Sequence, residues 1–308
     1  MKFTLEYPSE SPSAAAGFLA ADVMARLAVQ AEQCGFSAIA LSDHPAPSAK
    51  WHRNGGHDTV EPAVALAYLA AVTTDVRLMT NLYVLPFRNP YLAAKALTSL
   101  DLVSGGRLIA GVGAGYLRSE FSALGASFDE RADRFDEALD ALVRIWSAPV
   151  EPVSGGDFTA TGPMWLDPPI QRPHPPIWVG GNSNAALRRV VEYGQGWSPV
   201  IAPPALASSI RTAAIEGPED FARAAKTLRD QLEAAGRDPE TVDIQVLQHK
   251  IEFSESSAVA GLLRGLAEME RHGATWAIVQ VDASSVESAA EYVSAFGENV
   301  IQKVGASQ

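Results

Sequence analysis

In Val76-Arg77-Leu78-Met79-Thr80-Asn81-Leu82-Tyr83-Val84-Leu85 an apolar run of strand character is followed, over 90–103, by apolar residues at helical spacing behind Pro90. A second compact apolar run, Arg107-Leu108-Ile109-Ala110-Gly111-Val112, comes next. Such runs suit strands buried on both faces, and a proline suits the first turn of a helix. Strand, helix and strand in this order make one parallel unit. Toward the N-terminus the same alternation predicts strand 3–7 with helix 14–33, stopped by Gly35, and strand 36–42 with helix 62–74. Toward the C-terminus it predicts helix 129–146, then strand–helix pairs 177–180 with 185–193, 196–200 with 218–235, 242–247 with 257–271, and 275–281 with 286–296. The rhythm breaks once, over 147–176, a Gly- and Pro-rich insertion after the fourth helix in which Gly155-Gly156-Asp157 signals a hairpin turn.

Eight alternations favour an α/β fold closed as a (β/α)8 TIM barrel over an open doubly wound sheet, because each strand is covered by the helix that follows it. Residues 1–308 are expected to form a single barrel domain that carries the 147–176 insertion. Chemistry on such a barrel sits in the loops after the strands.

The chain carries 24 Lys+Arg against 36 Asp+Glu, a net charge of −12, which argues against a nucleic-acid partner. With 47% hydrophobic and 19% charged residues it can build a large core without disulfides or structural metal. Cys34 is the only cysteine, so no internal disulfide exists and a reducing compartment fits. The N-terminus lacks a basic segment followed by an apolar stretch, and no apolar run nears the ~18 residues of a membrane span. A cytoplasmic protein that neither enters a membrane nor binds nucleic acid is expected.

Three loops hold candidate chemistry. Strand two ends in Ser42-Asp43-His44-Pro45, where Asp43 could bind a ligand and His44 could move a proton; the plain alternative is a loop cap with a solvated imidazole. Strand four ends in Gly111-Val112-Gly113-Ala114-Gly115-Tyr116, which would let a flat ring or phosphate chain approach the backbone, or would serve only as a tight turn. It is not the dinucleotide fingerprint, whose third glycine would fall at Tyr116. Strand five ends in Gly180-Gly181-Asn182-Ser183-Asn184 and runs into a helix, an arrangement suited to an anion or to an ordinary N-cap. Arg188 and Arg189, further into that helix, read as solvated charges.

No metal site is expected, since His52, His57, His174, His249 and His272 form no His-x-His pair on a strand. Trp146, Trp165, Trp178 and Trp197 are candidates for an aromatic pocket or for packing, and Cys34 reads as a buried, inert thiol.

The run 80–90, with Lys95-Ala96-Leu97-Thr98-Ser99-Leu100-Asp101 and Ser104-Gly105-Gly106-Arg107-Leu108, resembles the bacterial luciferase-like monooxygenase superfamily. Glu130-Arg131, Arg134-Phe135-Asp136-Glu137 and Pro175-Pro176-Ile177-Trp178-Val179-Gly180-Gly181-Asn182 are similar to its branch that uses the deazaflavin coenzyme F420. The resemblance implies a barrel holding F420, or alternatively FMN, at its mouth while a hydride moves between the ring and a small-molecule substrate. It implies Asp43 as a cofactor contact, His44 as proton donor, and a bulge with a non-proline cis peptide at Asn81-Leu82. It implies Gly111, Gly113, Ala114 and Gly115 beside the cofactor, and Gly180, Gly181, Asn182 and Ser183 around its phosphate. It also implies a homodimer. Sugar-phosphate dehydrogenase relatives carry a glutamate where this chain has Tyr116, which disfavours that substrate. Trp51, His52, Trp165, Pro168 and Pro169 could shape the substrate cavity. The longer acidic tail of F420 would favour an open, basic groove. The rival readings are an FMN-dependent monooxygenase and a non-catalytic cofactor-binding protein.

Overall fold

The computed structural model describes residues 1–148 and 150–305. Pro149, inside the expected insertion, and residues 306–308, at the end of the expected domain, lie outside the described residues. The strands are β1 (Lys2–Glu6), β2 (Ala38–Leu41), β3 (Arg77–Thr80), β4 (Tyr83–Val84), β5 (Leu108–Gly113), β6 (Ile177–Gly180), β7 (Gly196–Ser198), β8 (Asp243–Gln248) and β9 (Trp276–Val279). The helices are α1 (Ala21–Gln33), α2 (Ala49–Arg53), α3 (Pro62–Val72), α4 (Pro90–Val103), α5 (Arg118–Ala123), α6 (Arg131–Ser147), α7 (Asn184–Tyr193), α8 (Pro204–Ser209), α9 (Pro218–Ala234), α10 (Ser256–Arg271) and α11 (Val286–Phe296), with α12 (Gln302–Gly305) after a π turn.

Every pairing between these strands is parallel, and β3–β5 contacts close the ring, so the (β/α)8 barrel is confirmed. β3 and β4 are two pieces of one barrel strand. Met79 pairs with Ile109 and Tyr83 with Val112, so four residue steps oppose three and one residue is extra. This bulge contains a cis peptide at Asn81-Leu82. A second cis bond, Arg172-Pro173, lies in the insertion. There Gly155 and Phe158 form a single antiparallel bridge at the expected hairpin turn.

The interior is filled, not hollow. Trp178 and Trp276 meet edge to face at 5.2 Å among Ala38, Ala40, Met79, Ile109 and Ile278. The Thr4 hydroxyl donates to Gln245 Oε1 at 2.7 Å beside them. Small residues opposite large ones let the layer interdigitate. A side chain on Gly196 would overlap the Trp178 indole. Likewise, a Cβ on Gly111 would overlap the carbonyl oxygen of Thr80, a backbone atom that cannot rotate away. Gly111→Ala is therefore expected to destabilise the barrel by about 3 kcal/mol or more, read as a fall in the urea midpoint. A midpoint within error of the parent would show that β3 can shift freely, contrary to this packing.

Several expected elements move. The helix predicted from residue 14 begins at Ala21, because Gly17 takes φ +104 and the preceding residues form turns that pack against Ala283. The short helices α2, α5 and α8 were not anticipated; five or six residues carry too little periodicity. Cys34 is half-buried instead of fully buried, and burial pushes its thiol above its ordinary range, partly offset by Ser294. Among the described residues no helix is long and apolar enough to cross a membrane.

Candidate active site

Asp43 and His44 follow β2 directly, and their side chains find different partners. The Asp43 carboxylate is buried and receives three hydrogen bonds: Val84 N and Arg88 Nη1 donate to Oδ2 at 2.8 and 2.5 Å, and Arg88 Nη2 donates to Oδ1 at 2.8 Å. The Arg88 guanidinium lies 3.9 Å over the Tyr83 ring. Burial would lower its pKa, but Asp43 raises it above the ordinary arginine range. Burial also pushes the Tyr83 phenol up to about 12. Asp43 thus ties β2 to the bulged strand, a bidentate geometry that only arginine supplies.

His44 is held by a residue that the sequence did not single out. Its Nδ1 lies 3.1 Å from Oε2 of Glu120 on α5, whose Oε1 accepts from Ala46 N at 3.2 Å. Glu120 is 3% exposed. A carboxylate only accepts, so Nδ1 carries the proton and Nε2 is the nitrogen left for exchange. Trp51 lies over the imidazole at 4.6 Å, with Tyr116 at 5.7 Å and His57 at 5.5 Å edge to face. The Thr59 hydroxyl donates to the His44 carbonyl at 3.1 Å. An oriented imidazole under aromatic cover is an arrangement able to move a proton.

The glycines make room for the bulged strand. A side chain at Gly180 would overlap Leu82, and one at Gly113 would come within 3.1 Å of it, so the notch between them is occupied by Leu82. Gly115 takes φ +73 and faces Val84 and Phe121, with Ala114 half-buried before it. These absences of side chains seat the bulged strand at the mouth, and Asn81 and Leu82 are the residues they position.

The 180–183 turn is also internally bonded. Asn182 Nδ2 donates to the carbonyls of Val200 and Ala213, its Oδ1 accepts from Val200 N, and its amide donates to Thr212 Oγ1. Gly181 N donates to Ser198 O. Ser183 is the N-cap of α7, accepting from Ala186 N at 3.2 Å. The amides of Asn184 and Ala185, in the first turn of α7, have no intrahelical acceptor and can still face an anion. Of the arginines expected on the surface of α7, Arg188 is half-exposed, but Arg189 is buried on Asp136 with Nε donating to Oδ1 at 2.6 Å. Trp197 packs outward on Phe221 and donates to Gly181 O, Trp146 lies beneath α4 on Thr98, and Trp165 is exposed. With Trp178 inside the barrel, the four tryptophans build no common pocket.

Beside this turn lies a basic cluster that the sequence did not reveal. The guanidinium carbons of Arg118, Arg131 and Arg211 stand 4.4, 4.1 and 5.0 Å from the centroid of the single Phe128 ring. Arg118 pairs with Asp129 at 2.6 Å. Burial and the neighbouring Arg211 push the Arg131 guanidinium below its ordinary range, Asp129 partly offsetting them. Arg211 precedes Thr212, which binds the Asn182 amide, so the cluster adjoins the 180–183 turn. Among the described residues no group of three or more His, Cys, Asp or Glu could hold a metal.

Residues 1–261 match the family model for luciferase-like monooxygenases, and the chain belongs to that family. Its members are oxidoreductases and monooxygenases. The chain is 35% identical over 170 residues, 54% of its own length, to an FMNH2-dependent dimethylsulfone monooxygenase of Pseudomonas putida. It is 31% identical over 191 residues, 61% of its length and 62% of the relative's, to an uncharacterized protein of Mycobacterium tuberculosis. The matches span about half the length of the first curated relatives, 46% of a Sinorhizobium fredii protein and 45% of the Pseudomonas enzyme. Among solved structures, monooxygenase RslO1 from Streptomyces bottropensis superposes with a TM-score of 0.80 at 26% identity, covering 99% of this chain and 100% of that one. An F420-dependent secondary alcohol dehydrogenase shares the fold, with a TM-score of 0.74 at 17% identity over 98% of this chain and 99% of the other.

Proposed function

We propose that this chain is an oxidoreductase that holds coenzyme F420 at the barrel mouth and acts on a small organic substrate. The observation that carries the choice of cofactor is the Arg118, Arg131 and Arg211 cluster around Phe128, with Asp129 in their midst. A chain of net charge −12 that gathers three guanidiniums beside a helix N-terminus is suited to a polyanionic tail rather than to a lone phosphate. In this reading the first-turn amides of α7 face the phosphate and the arginines face the tail. The bound ring supplies or accepts the hydride. His44, oriented by Glu120, moves the accompanying proton at Nε2, and Trp51 and Tyr116 shield it from water. FMN is the second reading, favoured by the 35% identity to the FMNH2-dependent enzyme.

Parallel titration of the purified protein with F420 and FMN at low and high salt tests the choice. F420 is expected to bind at least about tenfold tighter, with a steeper loss in salt. Arg211→Ser is expected to weaken F420 by roughly three- to tenfold and FMN by less, the range of one partly exposed charged contact. FMN binding tighter than F420, with no effect of Arg211→Ser, would move the chain to the flavin monooxygenases. Binding of neither would sink both readings.

A further inference from the structure

A second carboxylate–imidazole pair stands beside His44. After β1 the chain makes a tight turn over Pro8–Glu10 that carries Glu10 across to the end of β2. Its side chain is 7% exposed, lies against Ser42, and places Oε2 3.9 Å from Nδ1 of His57. His57 in turn meets His44 edge to face at 5.5 Å and Trp51 at 5.2 Å. Glu10 Oε1 and Ser42 Oγ are both buried without a well-formed hydrogen bond among the described residues. Polar atoms left so cost free energy unless a proton, a water or a ligand meets them.

We propose that Glu10 and His57 form a second acid–base pair of this active site, which returns a proton to His44. The inference rests on reading His44 as the group that moves a proton. When His44 has given up its proton, one passes from the Glu10 carboxyl to Nδ1 of His57 in its Nε2–H tautomer, in which Nδ1 no longer donates to the Asp58 carbonyl 3.4 Å away. A proton leaves that ring for Nε2 of His44, and the Glu10 carboxylate regains one from water. Glu10 acts through the two imidazoles and is a positioning residue rather than a catalytic one.

The charges around the pair support this direction. Burial pushes the Glu10 carboxyl up to about 8, with Ser42 opposing and Glu6 adding to the rise. Glu6, at the end of β1, is itself raised by burial and faces Gln280 and His249 at the ends of β9 and β8. Burial pushes His57 below the ordinary imidazole range, as do His44 and His52, while Asp58 opposes them. At neutral pH the proton of the pair therefore resides on the carboxyl and the imidazole is neutral.

Histidine ring resonances of the cofactor-free protein, followed by NMR from about pH 5 to about pH 10, test the pair. His57 is expected to show an inflection near pH 8, with a smaller one at His44. Both should vanish in Glu10→Gln. In Ser42→Ala the inflection should move to higher pH, because a group favouring the ionised carboxyl is gone. No inflection in the parent, or one that persists in Glu10→Gln, would overturn the proposal. Should Glu10→Gln not fold, the infrared spectrum of the parent decides. A carboxylic-acid carbonyl band that is present at neutral pH and lost in alkali supports the pair, and its absence refutes it. The inflection together with no hydride transfer would sink the enzyme reading but leave the pair, whereas turnover without the inflection would do the reverse.

Discussion

Turnover by His44→Ala is expected to fall roughly 10²- to 10⁴-fold, the usual worth of a positioned general acid or base, while cofactor affinity changes little. The imidazole is fixed from one side by buried Glu120 and covered by Trp51 and Tyr116, so its loss removes a proton path without opening the fold. Glu120→Gln should also be slow, by tenfold or more, because the amide can donate to Nδ1 and so favour the wrong tautomer. Single-turnover kinetics with the loaded cofactor separate this from binding. An unchanged rate constant in His44→Ala on an established substrate would end the role assigned to the residue.

The second large effect is on stability. Asp43→Asn takes from the Arg88 guanidinium, 15% exposed, its buried charge partner at 2.5 Å and leaves it only the half-exposed Glu61 at 4.0 Å, and the expected loss is about 3 kcal/mol. Urea unfolding reads it directly. Asp43→Asn with Arg88→Met should recover most of the loss, since the poorly compensated charge leaves with the arginine. A single mutant of parental stability that binds its cofactor poorly would instead favour the direct cofactor contact implied by the family resemblance.

The contrast between these two residues shows what one chain of letters discloses. The helices Pro90–Val103 and Val286–Phe296 and the strand Ile177–Gly180 were legible to the residue, because periodicity and flanking Pro or Gly are local signals. Asp43 and His44 were legible as a strand-end pair. Their partners were not: Arg88 lies 45 positions from Asp43 and Glu120 lies 76 from His44, distances that only barrel closure spans. The glycines at 113 and 180 were visible, yet what fills their space is Leu82, a neighbour set by strand pairing. The arginine cluster draws on two loops, after β5 and after β7, and no stretch of sequence brings them together.

The paired tryptophans inside the barrel have a kinetic meaning. Trp178, Trp276 and the Thr4–Gln245 hydrogen bond plug the barrel core at this layer. On the function proposed above, cofactor and substrate would then both come and go through the mouth, and the one seated deeper would enter first and leave last. Initial-rate patterns should accordingly obey a compulsory sequence, with the outer ligand a dead-end blocker when it arrives too soon.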